Sequence, residues 1–487
     1  MKQFDPDRAY TTPLPLQTFF FYDLETSGLS PREDRIMQFA GQRTDLELNP
    51  IGDPVNLLIK LPDDTLPNPG AIMVTKITPQ STQLDGLGEA EFCQYLMQEI
   101  FTPGTCATGY NSVRFDDEFM RHLFWRNFHD PYEWQWKDGR SRWDLLDVVR
   151  LTRALRPEGI NWPVTSEGVA TNRLELITQL NGITHQHAHD ALSDVEALIS
   201  VTRLIKTKQP QLYQYLYDLR SKHQVQKLVN LHQKKPFVYA SGRYSSQFNK
   251  TTVAFPLTSG RGGNLLVFDL RYNLEELLQN PDAEFFPIVK EFSPNKCPAV
   301  APLGVLSSHD GWAKLQLSQA VVEQNLATLL RHPDFAERMR EQVEQRPAWP
   351  AAIDPESALY GAFLSDSDRA LCTSICIASF KKSANGFTSF SQLADLHPQF
   401  ADERLPELLL HYKAKNFPTT LSQDEASAWE TYRLARLSRQ APKFLEELSA
   451  LQKLAAKQQP FSNGQPVDPF ILEELTLWYQ SLQPGDY

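Results

Sequence analysis

Three short segments carry the residue types and spacings that could do chemistry. The first is FYDLETSG at residues 21–28, at the end of an apolar run. On a strand, residues two apart face the same way, so Asp23 and Glu25 project together, with Phe21 on their face nearer the strand start. Two carboxylates on one face repel, and burying them costs several kcal/mol each unless cations neutralise them. The plainer alternative is a strand end running into a solvated turn at Ser27 and Gly28. The second segment is GYNSVRFDDEFM at 109–120, where Gly109 and Asn111 close a strand and Phe115 to Met120 open a helix with Asp116 and Asp117 in its first turn. Acids at that position are also what a helix dipole favours, by ~0.3–1 kcal/mol. The third is HAHDALSDVEAL at 187–198. On a regular helix His189 and Asp194 stand ~140° apart around the axis. A helix that instead begins after an Asp190 N-cap leaves His189 on the preceding loop, able to fold over the face that Asp194 presents. The competing readings are a surface metal-binding tract of His185, His187 and His189, or an amphipathic helix with a polar entry. No cysteine lies near enough to complete a structural zinc site.

Each motif is weak alone, and the combination is stronger. Asp23, Glu25, Asp116 and Asp194 supply oxygen ligands only, which select hard divalent cations such as Mg²⁺ or Mn²⁺ over zinc. Two such ions ~4 Å apart stabilise the attacking and leaving oxygens of an in-line displacement at phosphorus. A neutral histidine, here His189, accepts the proton of the attacking water. The chemistry that fits this set is phosphodiester hydrolysis.

The elements that must position these residues read as a mixed α/β domain. Strand-like runs (FFFYDLE, RIMQFAGQRTD, PVNLLIKLP) alternate with helix-like ones (EAEFCQYLMQEIF, DEFMRHLFWRNF) from residue 17 to about 205. From about 236 to 310 the texture turns to short β-rich runs around Gly-Arg-Gly-Gly at 260–263, which predicts a small, mostly antiparallel β domain. A helical stretch at 317–345 leads into RPAWPAAIDPE at 346–356, a proline-marked linker, and from 357 onward the periodicity is helical without strand-like alternation. The expected division is therefore 1–208, 209–352 and 357–487, within the two to four domains that 487 residues suggest.

Composition bounds the partners. No stretch approaches ~18 consecutive apolar residues, and the apolar N-terminal run lacks a basic flank and a cleavage site, so a soluble, cytoplasmic protein with no membrane partner is expected. Five cysteines without a CxxC pair read as reduced core thiols. A net charge of −11 argues mildly against a polyanionic partner, but residues 201–250 hold ten Lys or Arg against the single acid Asp218. That stretch is either a local nucleic-acid contact or a solvated helical linker. Five of nine tryptophans fall within 125–162, interleaved with Arg142, Arg153, Arg156 and other basic residues. Aromatics that stack on bases and arginines that hold phosphates would line a single-strand groove, at ~1–3 kcal/mol per stacked base; core packing is the alternative for at least half of the tryptophans. Phe115 is a core residue or a wedge against terminal bases.

Asp-x-Glu, then Phe-Asp opening a helix, then His-x4-Asp resembles the histidine-containing branch of the DEDD exonuclease superfamily. Further blocks, FDDE, SRWDLLDVVRLTRALRPEGINWP (141–163), NKCP (295–298), GAFLSDSDRA (361–370) and KNFPTTL (415–421), resemble the bacterial exonuclease I family along nearly the whole chain. The resemblance implies an RNase H-like exonuclease domain, an SH3-like β domain and an all-helical C-terminal domain. It further implies processive 3′→5′ degradation of single-stranded DNA to 5′-mononucleotides in DNA repair and recombination, by a monomer using two Mg²⁺ ions, with Mn²⁺ as a substitute. Asp23, Glu25 and Asp194 would hold one ion, Asp23 and Asp116 the other, with His189 as general base. Strand contacts would come from Glu25, Thr26, Phe115, Arg142 and Trp162. The acidic C-terminal tail of single-stranded DNA-binding protein would dock near Arg156 and Tyr215. An exoribonuclease of the same superfamily and a non-catalytic single-strand-binding scaffold are the rival functions, since no carboxylate or imidazole senses a 2′-hydroxyl.

Overall fold

The computed structural model describes residues 16–185, 190–280, 284–346, 352–383, 386–389, 397–461 and 464–483. The chain forms two compact units, one of residues 1–107, 117–142 and 352–487, the other of 108–116 and 143–351. Among the described residues, no helix is long and apolar enough to cross a membrane.

Five strands, β1 (Thr18–Thr26), β2 (Ile36–Thr44), β3 (Val55–Leu58), β4 (Thr105–Gly109) and β5 (Ser141–Asp144), form a sheet in the order β3-β2-β1-β4-β5. The TFFFYDLET run of β1 is rich in the aromatic and β-branched residues that suit a pleated, buried surface. Every β1 residue is buried except Asp23 and Glu25, which are half-buried on one face. Antiparallel pairing sets Tyr22 opposite Gly41 of β2. A Cβ at Gly41 would lie 2.2 Å from Phe20 Cε1, so only glycine lets the ring lie flat there. The register slips between Glu25 and Thr26, a bulge of the kind that re-aims side chains at a strand end.

The C-terminal helices build their cores with the 1–107 and 117–142 segments of this unit. The helix Gln423–Ala456 starts at a capping box, Ser422 Oγ accepting from the Glu425 N–H at 3.2 Å and Glu425 Oε2 from the Ser422 N–H at 2.8 Å. Its Leu437, Phe444, Leu448 and Leu451 bury against Met37, Ile72 and Met73 and against Ile471, Leu475 and Trp478 of the helix Pro469–Ser481. Each such side chain contributes ~1.5–3 kcal/mol on burial. A second cluster joins Trp125 and Phe128 to Ile375, Leu405 and Tyr412. The all-helical expectation for this region needs one correction: Phe380–Ser383 and Gly386–Ser389 pair as an antiparallel hairpin. Strands this short show too little alternation to register as a pattern.

A charged cluster is sealed in the same unit. Arg35 Nη2 meets Glu356 Oε2 at 2.6 Å, Lys415 Nζ contacts Glu356 and lies 3.2 Å from Asp64 Oδ2, and Arg436 reaches Asp64 at 3.4 Å and Asp354 at 3.0 Å. Arg126 pairs with Glu89 at 2.7 Å. Four acids thus face four bases with almost no solvent access. Burial alone would push the Asp64 and Glu356 carboxyls up, but Lys415, with Arg436 or Arg35, holds both well below the usual carboxylate range.

His122, buried on the helix Asp116–Arg126, donates from Nδ1 to Glu118 O at 2.9 Å. Burial pushes its pKa down from 6.5 to about 4. Below pH 6.5 the unfolded chain takes up a proton that the folded chain refuses, so stability is full above that pH and drains toward pH 4 at up to about 1.4 kcal/mol per pH unit. His122→Gln is expected to flatten the fall in Tm between pH 6.5 and 4; an unchanged slope would refute this account.

The second unit contains an antiparallel sheet of β6 (Phe237–Ala240), β7 (Thr251–Ser259), β8 (Leu265–Asp269), β9 (Val289–Phe292) and β10 (Ala299–Pro302), in the order β10-β6-β7-β8-β9. Pro256 sits inside β7 beside a register shift that spares the missing N–H. Trp143 is clasped edge-on by Tyr213 and Tyr217, both at 5.3 Å. The predicted helix at 317–345 is two helices, Gln319–Leu330 and Pro333–Glu344, because Pro333 begins a new one. All five cysteines are buried free thiols.

Candidate active site

The strand β1 delivers Asp23 and Glu25 side by side, because alternation turns Tyr22, Leu24 and Thr26 inward and leaves the two acids on the other face. The turn that follows is not solvated. Ser27 and Gly28 are buried, and Ser27 Oγ accepts from the Arg35 N–H at 2.9 Å and donates to Asp34 at 3.2 Å.

Asp194 lies in the first turn of the helix Ala191–Lys208, whose N-cap is Asp190, accepting from the Ser193 N–H at 3.2 Å as the sequence suggested. His189 lies outside the described residues. A second histidine, His185, is buried with Nε2 2.7 Å from Asp194 Oδ1. A carboxylate only accepts, so Nε2 is the donor to Asp194, and Nδ1 lies 3.2 Å from Thr178 Oγ1 on the other side of the ring. The Asp194 carboxylate is thereby oriented from behind, as ligating carboxylates commonly are. His185 is not part of a surface tract.

Asp116 opens the helix Asp116–Arg126 and is buried. The turn leading into it hangs on Asp144, whose carboxylate accepts from the backbone N–H groups of Asn111 at 2.9 Å, Val113 at 3.3 Å and Leu146 at 2.9 Å. Burial, with Asp147 nearby, pushes the Asp144 pKa up to about 6. The neighbouring acid, Asp117, serves the fold: it accepts from Tyr22 Oη at 2.7 Å and is paired with Arg142. Sequence reasoning took Asp116 over Asp117 without seeing what Asp117 binds, and it missed the roles of His185, Thr178 and Asp144, because those roles come from partners that only the fold brings together.

Asp23, Glu25 and Asp194, all half-buried, each offer one carboxylate oxygen within 4.8 Å of the other two. Three carboxylates at that spacing repel strongly unless a cation sits among them. With neither sulfur nor imidazole in the group, the donor set suits a hard divalent ion. Asp116 is not in that group.

The remaining candidates are placed as follows. Thr26 Oγ1 donates to Gly28 O at 2.7 Å, and Arg142 is buried against Asp117, so these polar groups are used inside the fold. Phe115 is half-buried. Trp162 is half-buried, its Nε1 donating to Pro157 O at 2.9 Å and its ring 5.8 Å from the Arg153 guanidinium. Trp125, Trp134 and Trp143 are core residues while Trp136 is exposed. Arg156 donates to Leu155 O at 2.7 Å and Ser308 Oγ at 3.4 Å, and Tyr215 Oη donates to Val300 O at 3.1 Å.

Comparison with known proteins agrees along the chain. Residues 20–202 match the model of the exonuclease family, 220–345 that of the exonuclease I SH3-like domain, and 353–482 that of the exonuclease I C-terminal domain. Exodeoxyribonuclease I of Haemophilus influenzae is 37% identical, the match covering 92% of this chain and 98% of the relative. The crystal structure of Escherichia coli exonuclease I in complex with a dA16 oligonucleotide superposes with a TM-score of 0.86 at 35% identity, covering 96% of this chain and 100% of that one. Exonuclease I from Methylocaldum szegediense gives 0.84 at 38% identity, with 96% and 99% covered.

Proposed function

This chain belongs to the exonuclease I family, and on that premise we propose that it degrades single-stranded DNA processively from the 3′ end to 5′-mononucleotides by two-metal phosphodiester hydrolysis, serving DNA repair and recombination. The convergence of Asp23, Glu25 and Asp194 on one small volume carries the reading. Asp23, Glu25 and Asp194 would hold one Mg²⁺, and Asp23 with Asp116 a second; Mn²⁺ suits the same oxygen donors. Bound there, the metal supplies Lewis-acid stabilisation of the charge that develops on the phosphate. The protein's own contribution is positioning. The bulge after Glu25 sets the strand end, His185 fixes the Asp194 carboxylate, and Asp144 fixes the turn before Asp116. His189 takes the proton of the attacking water. Glu25, Thr26, Phe115, Arg142 and Trp162 are assigned to the strand. We retain 1–208, 209–352 and 357–487 as the domain division.

The test is release of mononucleotides from single-stranded DNA and RNA labelled at either end, with and without Mg²⁺. Metal-dependent release from the DNA 3′ end is expected; preferential degradation of RNA, or no release, would overturn the proposal. His189→Ala is expected to slow turnover by ~10²–10⁴-fold, the usual span for a lost general base, with part of the rate regained in Mn²⁺. Unchanged turnover across pH 6–9 would make His189 structural.

The acidic C-terminal tail of single-stranded DNA-binding protein is proposed to dock at Arg156 and Tyr215. A guanidinium clasps a terminal carboxylate with two hydrogen bonds, and an aromatic wall covers an apolar side chain. Arg156→Ala is expected to weaken a tail peptide and leave a DNA oligomer unaffected. The reverse pattern would assign Arg156 to the DNA track.

A further inference from the structure

The SH3-like sheet holds a cavity of about 160 Å³ among β7, β8, β9 and the loops that flank them. Arg243, Arg271 and Lys290 line it. Such a gathering of cations is normally balanced by carboxylates, yet the hydrogen bonds of these three end on neutral carbonyls. Arg243 donates to Glu291 O at 2.9 Å, Arg271 to Gln316 O at 3.2 Å and Thr251 O at 3.4 Å, and Lys290 to Pro287 O at 2.7 Å. One acid, Asp269, lines the cavity, and it is buried with an oxygen accepting from Thr252 Oγ1 at 2.5 Å and from the Arg271 N–H at 3.0 Å. Three positive side chains therefore meet one negative one, leaving an excess of two.

The surrounding geometry holds this charge in place. The Arg271 guanidinium lies 3.6 Å from the Phe248 ring centroid, and the Lys290 ammonium 5.2 Å from that of Tyr244. The Tyr244 hydroxyl is buried and has no hydrogen-bond partner. Burial lowers the Lys290 pKa, and Arg243 lowers it further against the pull of Asp269. An anion in the cavity would relieve that strain. The cavity is large enough for one phosphate group with part of its hydration shell.

We propose that this pocket binds a single phosphate group through Arg243, Arg271 and Lys290. Two sources of that group follow from the proposed function: a backbone phosphate of the strand being degraded, or the monophosphate of a released nucleotide. The assignment of the pocket stands apart from the reading of the catalytic centre, since phosphate binding is measurable without turnover. The probes are inorganic phosphate and a 5′-mononucleotide, titrated calorimetrically into the full chain with metals chelated. Saturable binding is expected, weakened about tenfold in Arg243→Gln, Arg271→Gln and Lys290→Met, the loss of one charge-assisted hydrogen bond. Arg243 is exposed and anchors only to main chain, so its variant keeps the test independent of any folding defect at Arg271. A wild type that does not bind phosphate, or variants that bind it equally well, would overturn the proposal. The source is then read from activity. Fewer nucleotides removed per binding event, at an unchanged rate on a very short oligonucleotide, identifies the strand. Relief of inhibition by added mononucleotide identifies the product.

Discussion

Asp23→Ala or Asp194→Ala is expected to reduce turnover on single-stranded DNA by about 10³-fold or more while the protein stays folded and holds the strand within a few fold of normal. Both carboxylates belong to the group whose oxygens lie within 4.8 Å of one another, so on the proposed reading either change would remove a ligand from the ion that stabilises the reacting phosphate. That stabilisation amounts to several kcal/mol, and each 1.4 kcal/mol is about tenfold in rate. Binding survives because contacts along the rest of the strand do not pass through these acids. Single-turnover cleavage in Mg²⁺ measures the first quantity and fluorescence anisotropy with a labelled oligonucleotide the second. A folded variant with near-normal turnover would remove the acid from the centre.

The largest expected effect on stability lies elsewhere. Glu356→Ala is expected to cost about 3–5 kcal/mol, the usual loss when one partner leaves a buried ion pair. Glu356 accepts from Arg35 at 2.6 Å, from Lys415 and from His411 at 3.1 Å, and its removal strands buried cations that have no water to turn to. Urea denaturation of the variant beside the wild type measures the cost, and a change below about 1 kcal/mol would mean that the cluster is not a structural keystone. Because the Asp64 and Glu356 carboxyls are held below their ordinary values, the cluster's contribution is complete above about pH 4.5 and is lost as acid protonates them.

The three acids that converge were legible because their signal is local. Alternation along FYDLETSG placed Asp23 and Glu25 on one face, and the capping preference of Asp190 located the start of the Asp194 helix, as β1 and the Asp190–Ser193 bond show. What the chain hides is anything that depends on distant partners. His185 reads like one histidine of three in a polar tract, and only the fold brings Thr178 to one side of its ring and Asp194 to the other. Arg35, Asp64, Lys415 and Arg436 look like ordinary surface charges, because charged residues are rarely buried and nothing local marks the exceptions. The partners of Thr26 and Arg142 inside the fold, Gly28 O and Asp117, are likewise invisible in the local pattern.

The sealed charge cluster also imposes a schedule on synthesis. Ser27, which ends the acid-bearing strand, is tied to the main chain of Arg35 by two hydrogen bonds of 2.8 and 2.9 Å. Arg35 and Asp64 lie 3.9 Å apart, but their shorter ion pairs are with Glu356, Lys415 and Arg436, the last of which is added only when about nine-tenths of the chain has been made. At ~5–20 residues per second that delay amounts to roughly 20–80 s. A truncated product ending before residue 356 carries every acid of the proposed centre, yet its Arg35 and Asp64 have no partners from the C-terminal helices. A chain cut before residue 356 is thus expected to hold the turn after Glu25 less firmly.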